Sequence, residues 1–313
     1  MTVAFTFPGQ GSQTVGMGKA LAEAFFEANA VFEAVDEALG EKLSDIIFNG
    51  SIETLTLTEN AQPALMAVSL ATMRVLEARG IRIHDRIAFV AGHSLGEYSA
   101  LAAAGSLSVA DAARLLRTRG RAMQRAVPVG TGAMAALLGM ELDGAREVAA
   151  EAAQGEVCAA ANDNGGGQVV ISGAKAAIER ALDIAKAKGA KRAILLPVSA
   201  PFHCALMAPA AKVMEAALAE VNIIAPRVPL VANVLAAPIS DPAEIRKRLV
   251  EQVTDLVRWR ESMAWLGGAG VTTFVEVGAG KVLSGLAKRI VAGAETFSVG
   301  TPQEIDALVA KLA

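Results

Sequence analysis

Apolar runs of four to seven residues recur along this chain, separated by helical patterns rich in Ala and Leu. Residues 3–7, 87–91, 228–234 and 271–277 are examples. Such runs are too short for buried helices and lack polar alternation, so they read as strands covered on both faces. Strands of that kind alternating with helices build βα units around a mostly parallel sheet. Gly80, Gly105 and Gly270 fall just beyond helical patterns, where a left-handed C-cap is wanted. The pattern predicts an α/β fold.

The middle of the chain breaks this rhythm. Residues 131–140 read as a strand, 143–153 as a helix and 157–161 and 168–172 as strands around a turn at 162–167. A helix over 174–188 and a strand over 193–198 follow. That order, β-α-β-β-α-β, is the ferredoxin-like split motif. Pro128, Gly130 and Pro197 punctuate its ends. The expectation is a ferredoxin-like subdomain over 128–197, inserted into a larger α/β domain formed by 1–127 and 198–313.

Composition then removes several functions. A chain that is 53% hydrophobic has too much core for disorder. Two Cys and three scattered His make neither a disulfide framework nor a metal site, so no metal is expected. A net charge of -3 and 4% aromatics offer no basic field and no stacking platforms, so no nucleic acid is expected. No uncharged apolar run reaches the roughly 18 residues of a membrane span. The N-terminus lacks a basic flank before a long apolar stretch, as a signal peptide would have, and the reducing cytoplasm is the default compartment.

The strongest motif is Gly92-His93-Ser94-Leu95-Gly96. This G-x-S-x-G lies between the strand at 87–91 and a helical pattern at 97–104, the strand–turn–helix context of a nucleophile elbow. The turn strains the backbone at Ser94, and the flanking glycines let strand and helix approach. Oγ would stand over a helix N-terminus, where backbone N–H groups stabilise an oxyanion.

A serine nucleophile needs a base. His84 sits in a polar stretch, and His93 should point away from Ser94 within the elbow. His203 remains, in Ala200-Pro-Phe-His203-Cys204, and its late position suits the Ser-before-His order of such folds. Cys204 lacks an elbow and reads as a buried small residue, as does Cys158. No Asp precedes His203 closely, so a backbone carbonyl or an amide is expected to orient the imidazole.

The loop Phe7-Pro-Gly-Gln-Gly-Ser-Gln13 follows the first strand. Thr14 occupies the third-glycine position and Met17 the P-loop lysine position, so neither nucleotide-binding pattern is met. Two readings stay open: a plain βα turn, or a loop whose Gln10 N–H serves an oxyanion together with Leu95 N–H.

Ser108 and Asp111 form a capping box that starts a helix running to about Ala126. Val109, Ala112, Leu116 and Met123 recur on one face. Arg119 falls in that apolar series, whereas Arg114, Arg117, Arg121 and Arg125 form an opposite stripe that reads as solvated. A core-facing guanidinium needs an anion. Its partner is either an internal carboxylate or the carboxylate of a substrate.

Together these segments resemble the malonyl-CoA:acyl carrier protein transacylases. The resemblance covers nearly the whole chain: FPGQGSQ at 7–13, AGHSLGEYSAL at 91–101, RTRGRAMQ at 117–124, GTGAMAAL at 130–137, NDNGGGQVVISG at 162–173, SAPFHCALM at 199–207 and EVGAGKVLSGLAKRI at 276–290. It implies an α/β-hydrolase-like core with a ferredoxin-like insert. It implies Ser94 as nucleophile, His203 as base, Gln10 and Leu95 as oxyanion-hole donors, and Arg119 as the clamp on the malonyl carboxylate. Gln252 stands where the family carries a Gln whose backbone carbonyl orients the His. Leu95 and Phe202 are the residues that malonyl-selective members carry. Leu256 and Ala279 depart from the family's usual prolines. The partners implied are malonyl-CoA and acyl carrier protein, with no cofactor and a monomeric enzyme. Lys191 with Arg192, and Lys288 with Arg289, are candidates for meeting an acidic carrier.

Overall fold

The computed structural model describes residues 2–198 and 200–312. Ser199, the first residue of the SAPFHCALM segment, lies outside the described residues. Two sheets organise the chain. The larger takes β1 (Val3–Phe7), β2 (Ile87–Gly92), β7 (Leu230–Ala232), β8 (Ala237–Ile239), β9 (Thr273–Val277) and β10 (Glu295–Val299), in the order β10-β9-β1-β2-β7-β8. All its pairings are parallel except β7 with β8. The four apolar runs read from the sequence are its four central strands. β8 and β10 at the edges are short or only half-buried, which is why no apolar run announced them.

The smaller sheet is antiparallel, in the order β4-β5-β3-β6, from β3 (Gly132–Leu138), β4 (Cys158–Asp163), β5 (Gln168–Ala174) and β6 (Arg192–Leu195). Helices Leu142–Ala153 and Lys175–Ala187 intervene as expected and pack on one face of it. Their shared core, with Leu137, Val148, Ile171 and Ile178, is separate from that of the larger sheet. The hairpin turn works because Gly165, Gly166 and Gly167 all take positive φ (74°, 61° and 70°), which only glycine adopts without a Cβ penalty.

The units are stitched where β4 ends. Asp163 N–H donates to Val257 O (2.9 Å), and Val257 N–H donates to Ala161 O (2.9 Å). Asp163, 1% exposed, also pairs with Arg260 at 2.8 Å. No described helix is long and apolar enough to cross a membrane. No group of His, Cys, Asp and Glu among the described residues could hold a metal.

Candidate active site

The elbow forms as its spacing requires. A Cβ on Gly92 would lie 1.9 Å from the Gly96 backbone, and one on Gly96 would lie 2.3 Å from Phe7 O. Only glycine lets β2 turn into helix Gly96–Ala103 (helix A) this tightly against β1. The turn puts Ser94 at φ 52°, a left-handed conformation that non-glycine residues avoid. Asn233, just after β7, holds it there. Its Oδ1 accepts from Ser94 N–H (2.8 Å), and its Nδ2 donates to Gly92 O (2.7 Å).

His203 also has positive φ, 56°, and is 4% exposed. Its Nε2 lies 2.7 Å from Ser94 Oγ, and its Nδ1 lies 2.8 Å from Gln252 O. A carbonyl only accepts, so Nδ1 carries the ring proton and the Nε2 lone pair faces the Ser94 hydroxyl. Burial pushes the imidazole down to about 3, helped by the charge of Arg119. The ring is therefore neutral at physiological pH, the state a general base requires.

Arg119 is 1% exposed. Its Nη1 donates to Gln62 Oε1 (2.8 Å), and its Nη2 donates to Gln252 Oε1 (2.8 Å) and Ser94 Oγ (3.1 Å). The Tyr98 ring lies 5.8 Å from the guanidinium carbon. No described carboxylate forms an ion pair with Arg119. Its Nε has no acceptor among the described residues. A buried cation held by two neutral amides and a serine hydroxyl, with one donor lacking an acceptor, is arranged to receive an anion.

The same amides reach the N-terminal loop. Gln62 Nε2 donates to Thr58 Oγ1 (2.9 Å), and Thr58 Oγ1 donates to Gln10 Oε1 (2.9 Å). Gly9 packs against His93, whose N–H donates to Phe7 O (3.0 Å), so the glycine loop sits against the elbow. The backbone N–H groups of Gln10 and Leu95 donate to no described acceptor.

The structure thus brings Ser94, His203, Arg119, Gln252 and the Gln10 loop to one end of the parallel strands. The other histidines lie apart. His84 is exposed beside Asp85, and His93 turns to Asn164 Oδ1 (3.0 Å) and packs on Trp259. Cys204 is buried, its Sγ donating to Pro201 O at 3.2 Å, and Cys158 is half-buried against the smaller core.

One expectation is corrected. Arg117 is not solvated: it is 5% exposed, donates to Glu59 O (2.6 Å) and Asn60 Oδ1 (2.5 Å), and pairs with Glu41. Helix Thr58–Ala78 crosses there, and Gly120, whose Cβ would lie 2.5 Å from Glu59 Cα, marks the crossing. Arg114, Arg121 and Arg125 are exposed as expected. Sequence reasoning missed Gln62, Asn233 and Glu97. Of these, Asn233 had a visible signal, a single amide inside an otherwise apolar run.

Against known proteins, residues 4–301 match the family model described as an acyl transferase domain. A malonyl CoA-acyl carrier protein transacylase of Bacillus subtilis is 47% identical over 311 residues, 99% of this chain and 97% of that protein. Among solved structures, an acyl-carrier-protein-S-malonyltransferase from Bartonella henselae superposes with a TM-score of 0.98 at 58% identity, covering 100% and 99% of the two chains. A malonyl-transacylase solved with its type II PKS acyl-carrier protein gives a TM-score of 0.96 at 41% identity, covering 99% and 100%.

Proposed function

This chain belongs to the acyl transferase domain family, and from that premise we propose that it moves malonyl groups from malonyl-CoA to the pantetheine thiol of an acyl carrier protein, supplying fatty acid elongation. The observation that carries the reading is Arg119: a buried cation without a carboxylate partner, 3.1 Å from the Ser94 hydroxyl. An esterase for neutral acyl groups has no use for it. A malonyl thioester brings one carboxylate and one carbonyl, spaced to meet Arg119 and Ser94 together.

In the reaction His203 Nε2 takes the Ser94 proton as Oγ bonds to the thioester carbonyl carbon. The N–H groups of Gln10 and Leu95 receive the oxyanion, each such donor being worth roughly 10²–10³ in rate. The carbon–sulfur bond then breaks, and CoA thiolate takes the proton from His203. Malonyl-Ser94 remains. The carrier's thiol gives its proton to His203 and its sulfur bonds to the ester carbonyl carbon; the carbon–Oγ bond then breaks as His203 returns the proton to Ser94 Oγ, leaving the malonyl thioester on the carrier. The Gln252 carbonyl holds the imidazole throughout.

In this reading residues 1–127 and 198–313 form an α/β-hydrolase-like domain, and 128–197 a ferredoxin-like subdomain beside the acyl site. The enzyme works as a monomer, since the inferred set is complete within one chain. It works in the cytoplasm, where CoA thioesters and carrier proteins are exchanged, and needs no cofactor.

The test is mass spectrometry of the protein after malonyl-CoA and again after carrier protein. A malonyl adduct should form, map to Ser94, vanish on adding the carrier, and be absent in Ser94→Ala. An adduct that survives in Ser94→Ala, or release of free malonate in place of transfer, overturns the reading.

A further inference from the structure

Glu97 has no part in the reaction above, yet it lies directly behind the nucleophile with 1% exposure. One carboxyl oxygen accepts from Asn233 N–H at 2.6 Å, and the other accepts from Gln252 Nε2. Gln252 Nε2 also donates to Ser94 O (2.9 Å). With both amide hydrogens used on that side, Gln252 Oε1 faces Arg119, which donates to it at 2.8 Å. Burial pushes the Glu97 carboxyl up to about 8, against the Asn233 and Gln252 hydrogen bonds and the Arg119 charge, which hold it down.

We propose that Glu97 is a positioning residue for acyl-group selection: acting through the Gln252 amide, it holds Arg119 beside Ser94 and faces the guanidinium without touching it. The inference rests on reading Arg119 as the grip on the acyl carboxylate. A carboxylate bonded directly to Arg119 would occupy the donors that a substrate carboxylate needs. Set behind an amide, it takes no donor from Arg119 itself: Nη2 meets only the neutral Gln252 Oε1 and the Ser94 hydroxyl, and Nε has no described acceptor. Position 97 must also accept on both oxygens. A carboxyl does so; an amide cannot, because either orientation points an NH₂ at Asn233 N–H or at Gln252 Nε2. Glu97→Gln, nearly isosteric, therefore forces Gln252 to turn, and Arg119 loses its Oε1 contact.

The experiment compares kcat/KM for malonyl and acetyl transfer in the parent, Arg119→Ala, Glu97→Gln and Gln252→Met. Fluorophosphonate labelling of Ser94 shows which variants keep a folded site. Glu97→Gln should lower malonyl transfer about tenfold more than acetyl transfer, in the same direction as Arg119→Ala. On the Arg119→Ala background Glu97→Gln should add no further loss of selectivity, since the two act along one chain. Gln252→Met cuts the chain at its middle link and should lower the ratio likewise, which keeps the test decisive if Glu97→Gln does not fold. Equal losses for both acyl groups in Glu97→Gln, or a parental ratio in Gln252→Met, overturn the role of Glu97. If Arg119→Ala itself leaves the ratio unchanged, the Arg119 reading fails and Glu97 falls with it.

Discussion

Ser94 and His203 stand 109 positions apart, both with positive φ (52° and 56°), and their side chains meet at 2.7 Å. Neither is glycine, so each is strained by about 1 kcal/mol or more, and the surroundings must impose the conformation. At Ser94 they are Asn233 and the glycine-bounded elbow. At His203 they are the carbonyl of Gln252 and close burial. Two strained residues facing each other mark where stability yields to a reacting geometry, and the consequences can be measured.

The proposed base, His203, should keep working at low pH. An ordinary His protonates near 6.5, but burial and Arg119 hold His203 down to about 3. The pH profile of acyl-enzyme formation should show no loss of base between roughly pH 7 and 5. An inflection near 6.5, measured by rapid quench, would contradict this geometry. The linked stability runs the other way. Between pH 6.5 and 3 the unfolded chain binds a proton at this position that the folded chain refuses, so folding should weaken as pH falls through that window. His93, lowered by burial, adds to the same trend. Glu97, pushed up by burial, works against it until pH falls to about 4.5, so thermal melts below that pH test it.

Gly92→Ala should prevent folding of the elbow. The new Cβ would lie 1.9 Å from the Gly96 carbonyl, where backbone meets backbone and no rotamer relieves it. The expected loss is roughly 4 kcal/mol or more, read as a collapse of soluble yield or of the melting temperature. Gly285→Ala, with nothing near its Cβ, is the control and should melt close to the parent.

Arg117→Ala separates the two buried arginines. It strands Glu59 O and Asn60 Oδ1, while the exposed Glu41 turns to water, and should destabilise by roughly 1–3 kcal/mol, as loss of the partner of buried acceptors does. It should not change the ratio of malonyl to acetyl transfer, because Arg117 points to helix Thr58–Ala78 and away from Ser94. Denaturant melts and paired kinetics check both halves.

Lys191, Arg192, Lys288 and Arg289 are exposed and make no described ion pair. Gly139 packs on Lys191, Gly166 on Arg289, and Gly167 on Gly139, so the two pairs flank one glycine turn. Reversing Lys191 and Arg289 to Glu should raise the KM for carrier protein about tenfold at low salt while leaving malonyl loading from CoA intact. A KM unchanged by the double reversal would move the docking face elsewhere.

Local information carried much of this protein. Four central strands were readable because a strand buried on both faces must be continuously apolar. The elbow was readable because two glycines and a serine at fixed spacing permit one turn and little else. The smaller sheet followed from the order of its elements. The periodicity of helix Val109–Ala126 placed Arg119 on the buried side, and of three histidines the sequence singled out His203, the one that meets Ser94.

What surrounds those residues was settled only by folding. Gln62 and Gln252 lie 57 and 133 positions from Arg119, and an isolated amide has no local signature. Helical periodicity assigns a face but cannot say how many faces neighbours will cover, so Arg117 looked solvated until helix Thr58–Ala78 crossed at Gly120. Glu97 read as an ordinary first-turn acid. Its burial against Asn233 and Gln252 arises because β7 and the segment after helix Pro242–Glu251 converge behind the elbow. Motif spacing is a property of one stretch of chain, whereas partners, burial and charge balance belong to the packing of several.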